Sequence, residues 1–260
     1  MRRAADPEGP ARGPSVADLR NQYRLVIPPS MRAIRQVRGL PGSTINTPTG
    51  FGPGWGQFYG GVSFQERIRY ADARDGVLTV GMGIGNPYRT VGLDVAVNVL
   101  DTYTDFGEDR SLSLRLHRRL PFQAGIALGW ENIWHTDGTD GGSSRFVVAS
   151  KALRLRRTTD RPLGSVVVSL GVGDERFLSE PAFARGEEGL NPFGAVAVRL
   201  LPQASAIANW TGQDLSLGLS IAPVRRWPIV ITPALMDVTG RAGDGTRFSV
   251  SAGLGYNIRY

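Results

Sequence analysis

Only two imidazoles, His117 and His135, are present in this chain of 260 residues, and there is no cysteine. Thiolate chemistry and disulfides are thereby excluded, and acid–base or nucleophilic catalysis would need a serine activated by one of the two rings. His117 follows Leu114 and Leu116 in SLSLRLHR and falls on the face opposite to them. His135 opens the run HTDGTDGGSS, where no serine has a nucleophile's setting. Asp137, Thr139 and Asp140 in that run are rich in oxygen, but they lack the spacing and closing glutamate of a calcium loop and read as solvated loop acids. GMGIGN and GLGYN are strand glycines and do not open a helix as a phosphate loop does. The expectation is a protein that is not an enzyme, with no catalytic residue, metal or cofactor.

The chemistry that remains is fixed charge. Asp94, Asn98, Arg115, Glu131, Arg199 and Arg259 each stand in a run where every second residue is apolar, on the opposite face to those apolar residues. Such spacing is that of strands, whose side chains alternate between two faces. VGLDVAVNVL sets Val91, Leu93, Val95, Val97 and Val99 against Gly92, Asp94, Ala96 and Asn98. FQAGIALGWE, SVVVSLGV, AVAVRL and DLSLGLSIA repeat the pattern, and FSVSAGLGYNIRY carries it unbroken to the end of the chain. Runs 144–156, 204–212 and 227–237 are less regular, and Pro228 and Pro233 predict a bulge or shortened pairing in the last of these. Together the runs predict about twelve strands, an even number as in single-chain transmembrane barrels.

The connections alternate in length. YADARDG, TDFGED, HTDGTDGGSS, the stretch from Asp174 to Pro192 and DVTGRAGDGT are long; NPYR, RRLP, LPQ and PVRRWP are short, with TGQD the exception to the parity. Acids gather in the long connections and arginines in the short ones. Aromatics mark strand ends, among them Phe58, Tyr70, Phe122, Trp130, Trp134, Phe146, Phe193, Trp210, Trp227, Phe248 and Tyr260, where interfacial girdles belong. The formal charge of +7 is almost all arginine and is spread along the chain, which argues against a nucleic-acid partner.

Residues 1–56 differ: they are rich in Pro, Arg and Gly and predict a mostly irregular leader, with tethering or plugging as the less favoured roles. The start, MRRAADPEGPARGP, is basic but has no apolar run or small-residue cleavage site, so export implies a signal already removed or a start placed wrongly.

From residue 57 onward the chain resembles bacterial outer-membrane β-barrels, on its strand repeat and its closing YNIRY. Tyr256, Ile258 and Tyr260 look like the C-terminal signal read by the barrel-assembly machinery. GSTINTPTGFGPGWGQFYGGVSFQ, NWTGQDLSLGLSIAP and ITPALMDVTGRAGDGTRFSVSAGLGY are similar to an uncharacterised cyanobacterial-type barrel family, which implies a fold and a location but no activity.

The resulting expectation is all-β: a single antiparallel up-and-down transmembrane barrel at 57–260, behind an irregular periplasmic leader at 1–56, in an outer membrane. Small inward residues such as Gly81, Gly83, Gly171, Gly173, Gly218, Gly253 and Gly255 predict free space in the lumen. With Arg115, Arg199 and Arg259 as fixed cations, that space suits passive passage of small, anionic solutes. Two alternatives are a non-conducting structural or adhesion barrel presenting acidic loops, with charges paired across the lumen, and a soluble β-sandwich binding protein.

Overall fold

The computed structural model describes residues 39–67, 74–100, 109–136, 142–156, 161–224, 226–241 and 245–258. Twelve strands run in chain order: β1 (Gln57–Gln65), β2 (Asp75–Gly85), β3 (Gly92–Val99), β4 (Arg110–Leu120), β5 (Ala124–His135), β6 (Ser144–Arg154), β7 (Ser165–Gly173), β8 (Asn191–Leu201), β9 (Ala204–Trp210), β10 (Leu215–Ile221), β11 (Ile229–Met236) and β12 (Arg247–Asn257). Each pairs antiparallel with its sequence neighbours, and β1 pairs with β12 to close the sheet into a barrel. Closure leaves no edge strand with unpaired backbone groups. Strands of eleven residues, such as β4 and β8, give a tilted wall about 25–30 Å high, enough for an outer membrane's apolar band.

Departures from regular pairing have local causes. Pro233 brings no N–H to the β10–β11 ladder, where the register passes from Gly218↔Ala234 to Ile221↔Ile231 with a gap between. The shortened pairing expected there is what forms, without a shift of register. A bulge between Leu112 and Leu114 lies opposite the part of β5 where Asn132 adopts φ 51°. Phe122 does not start a strand: with Gln123 it forms the tight β4–β5 turn, at φ 58° and 60°.

The wall is apolar outside and polar inside. Leu128, Val147, Leu170 and Leu254 point outward and stay exposed, at 55%, 49%, 67% and 55%. Their alternating neighbours Ser111, Ser144, Ser150, Ser169, Ser205, Asn209, Ser216 and Ser220 are almost completely buried. A water-soluble sandwich shows the reverse, so the pattern is consistent with an outer-membrane barrel. Trp55, Tyr88, Phe122, Trp227 and Tyr256 are exposed near the end where β1 begins and β12 finishes (the terminal end), and Trp130, Trp134 and Phe248 near the other. Phe146 and Phe193 do not belong to these girdles: they sit on the inward parity of β6 and β8 and are buried. Tyr70 and Tyr260 lie outside the described residues. No helix among the described residues is long and apolar enough to cross a membrane.

Candidate functional site: the lumen and its internal strap

Residues 39–56 form no helix or strand, and residues 42–54 pack against the inner face of the barrel wall. The segment enters beside the β10–β11 turn, where Gly39 packs so closely that a β-carbon would sit 2.6 Å from the carbonyl oxygen of Trp227. Gly42 N–H donates to Ser220 Oγ (2.7 Å) on β10. Farther along, Asn209 on β9 clips three residues: its Oδ1 accepts from Ile45 N–H (3.2 Å) and Thr47 Oγ1 (2.8 Å), while its Nδ2 donates to Asn46 Oδ1 (2.7 Å). The chain then turns back. Gly50 N–H donates to Ser150 Oγ (2.8 Å) on β6, and that hydroxyl is itself paired with Ser169 on β7 (2.7 Å). Trp55 N–H donates to Gly85 O (2.8 Å) at the end of β2, and β1 begins two residues later. The strap is therefore a U whose two arms open toward the terminal end.

Side chains on β4 hold the returning arm. His117, 2% exposed, has Nε2 3.0 Å from the Pro53 carbonyl; an oxygen there can only accept, so Nε2 carries the proton. Its ring is wedged between Gly52 and Gly92, where a β-carbon would approach Nε2 to 2.6 Å in either case. Arg119 lies over the Phe51 ring at 4.4 Å. Arg115 donates through Nη1 to the Thr49 carbonyl (3.4 Å) and through Nη2 to Asp94 Oδ2 (2.5 Å), and Tyr59 donates to the other Asp94 oxygen (2.8 Å). Asp94 is 5% exposed at its side chain, so its pairing is obligatory: an isolated carboxylate there would have lost its water without compensation.

A second closure comes from the opposite end. The connection after β7 carries a 3-10 turn at Glu175–Phe177 and a short helix α1 (Glu180–Ala184). Phe177 is completely buried, stacked on Phe193 at 4.2 Å and edge-on to Phe146 at 6.2 Å. These rings, with Ala127 and Val148, form the one apolar cluster inside the barrel among the described residues. Burying such a side chain contributes about 1.5–3 kcal/mol, enough to hold a short loop inward. Arg176 pairs with Glu131 through Nε and Nη2, and its Nη1 donates to the Asn46 carbonyl (3.1 Å) at the bend of the strap. Strap and infolded loop thus meet across the lumen.

The charged residues singled out in the sequence are accounted for by these contacts. Asp94 and Arg115 form one pair; Glu131 pairs with Arg176, which the sequence reading did not single out. Asn98 bridges Thr79, Ser111 and Ser113. Arg199 donates to the Pro202 carbonyl (3.2 Å) at the terminal end. Arg259 lies outside the described residues, as do Asp137, Thr139 and Asp140. Tyr256 is 64% exposed opposite Phe58, and Ile258 N–H donates to Gly56 O (2.8 Å). Among the described residues no group of three His, Cys, Asp or Glu side chains could hold a metal ion.

The space expected from the inward glycines is mostly taken. A β-carbon on Gly83 would lie 2.5 Å from the Pro53 carbonyl carbon, and one on Gly125 would lie 2.6 Å from the Phe51 ring. Gly81, Gly129 and Gly171 lie under the rings of Tyr59, Phe146 and Phe193 from the paired strand. These glycines mark where a second backbone or a ring approaches the wall. Neither known protein families nor curated proteins offer a match to this chain.

Proposed function

We propose that this protein is an outer-membrane β-barrel held shut by its own N-terminal strap, a non-conducting barrel in its resting state. One observation carries the reading: residues 42–54 are hydrogen-bonded to side chains of β4, β6, β9 and β10, so the strap lies along the path an ion would take. Charge supports it as well. An anion pore needs unpaired cations along its lumen; Arg115 and Arg176 are neutralised by Asp94 and Glu131, and Arg199 and Arg119 at the terminal end are turned to the Pro202 carbonyl and the Phe51 ring. In this reading the termini and short turns face the periplasm, and the exposed part of the β7–β8 connection, with Phe183 and Leu190 uncovered, faces out.

Planar-bilayer recording of detergent-refolded protein tests it. The full chain should be silent at physiological salt, while Ser150→Ala, Asn209→Ala and Ser220→Ala combined should give discrete current steps. Steps of the same size and frequency in the unaltered chain would overturn the closed-barrel reading.

A further inference from the structure

The strap seals only part of the lumen. Its contacts fall on the far half of β2, on β4–β6, β9 and β10; elsewhere on the wall the inward residues Ser63, Val77, Thr79, Val230, Ser251 and Gly253 remain partly exposed. Between strap and wall lies a cavity of about 440 Å³, within the range of small-molecule sites. It extends along the strands from Pro228 and Gly255, near the terminal end, to Ser63 and Ser251 at mid-wall, a span of about 13 Å at the usual strand rise. Beyond that point Ser249 and Arg247 of β12 are buried, and the lining ends at Ser63, Val77 and Ser251.

Its chemistry is narrow. Leu40 of the strap, Val77 and Val230 supply methyl groups, and no charged side chain lines it. The polar groups are hydroxyls: Ser63, Thr79, Ser251 and Tyr59. The glycines here also differ from those under the strap. A β-carbon on Gly253 would find its nearest neighbour at 3.7 Å and one on Gly255 at 4.0 Å, in each case a carbonyl of the adjacent β1 and nothing across the lumen. The small side chains here therefore border open space.

We propose that this cavity is a binding site for a neutral, straight-chain hydrocarbon with a single hydroxyl-type head, entering from the terminal end. Length and carbon lining suit the chain, and the serine and threonine hydroxyls suit a head that both donates and accepts. A carboxylate or ammonium head would lose its hydration with no partner charge to replace it. The inference rests on the barrel reading but not on whether the barrel conducts.

The test is photolabelling of the full chain, reconstituted in lipid vesicles, with a dodecanol bearing a mid-chain diazirine, followed by peptide mapping. Inward Val77, Val230 and Leu40 should be labelled, separately from the lipid-facing Val80 on β2 and Ile231 on β11, which do not line the cavity. Unlabelled 1-dodecanol should suppress the inward labels, and dodecanoate should do so about tenfold less well. Gly253→Leu, which projects into the open space, should remove the inward labels while the outward ones persist as proof of a folded, inserted barrel. Labels on outward residues alone would overturn the proposal, as would inward labels indifferent to Gly253→Leu or equal competition by dodecanoate. A conducting protein that still gives the inward pattern would sink only the closed-barrel reading.

Discussion

Asn209 is completely buried, and its amide satisfies an N–H, a hydroxyl and a side-chain carbonyl of the strap at once. Asn209→Ala would leave the Ile45 N–H and the Thr47 hydroxyl without that acceptor in a dry interior, so we expect a loss of about 1–3 kcal/mol in urea unfolding from vesicles. The loss should come with new protease cleavage between residues 42 and 54; unchanged cleavage would mean the strap is held elsewhere. Arg115 poses a different balance. Removing it alone abandons Asp94, side-chain exposure 5%, and such a half-pair costs about 3–5 kcal/mol in a dry site. The double change Asp94→Asn with Arg115→Met should recover most of that in the same assay, because it removes both charges. A double variant no more stable than Arg115→Ala would show that the pair's hydrogen bonds, and not the abandoned charge, set the cost.

At the scale of elements, strap and infolded loop can each be trapped or released. A β-carbon on Gly42 would stand 3.8 Å from that of Ser220, inside the ordinary disulfide range of about 3.5–4.5 Å. The chain has no native cysteine, so Gly42→Cys with Ser220→Cys should oxidise to one intramolecular bond, seen as a shift on non-reducing gels of the denatured protein. Absence of the bond under mild oxidant would place the strap outside the barrel. Phe177→Ala removes the anchor of the infolded loop at a local cost of about 3–5 kcal/mol, and it should open Arg176 to trypsin without altering the heat-dependent mobility of the barrel. Most strands were readable in the sequence because they repeat a period of two over seven or more residues, as in Gly92–Val99. The strap was not, and the reason is physical. A run such as GSTINTPTGFGPGWG has no periodicity, and its partners Ser150, Asn209 and Ser220 look the same whether they face water or another backbone. Glycines opposite aromatics in register, as at Gly129↔Phe146, were the available sign that rings fold inward.

For the whole molecule, the exposed Val and Leu belt is the feature that decides its solvent. Leu128→Arg, near the middle of β5 and facing out, should cost about 2–4 kcal/mol for folding into lipid vesicles. The same change on a water-exposed surface would be within about 0.5 kcal/mol, so a negligible effect would mean that this outer face meets water and not lipid. Parity of loop lengths and of residue faces made the closed twelve-stranded barrel legible; the filling of that barrel depends on contacts between residues 42–54 and positions 64 to 178 residues later, which no local pattern records. That separation bears on how the chain is assembled. The clasp from Gly42 to Ser220 joins residues 178 apart, and the β1–β12 pairing joins nearly the two ends of the barrel. Closing such large loops is entropically expensive and slow, so the part of this segment made first finds its partners only when β9 and β10 exist. The strap is then less a stopper inserted into a finished cylinder than a mandrel around which the last strands wrap, and the barrel's final seam is sewn over a cargo that is its own beginning.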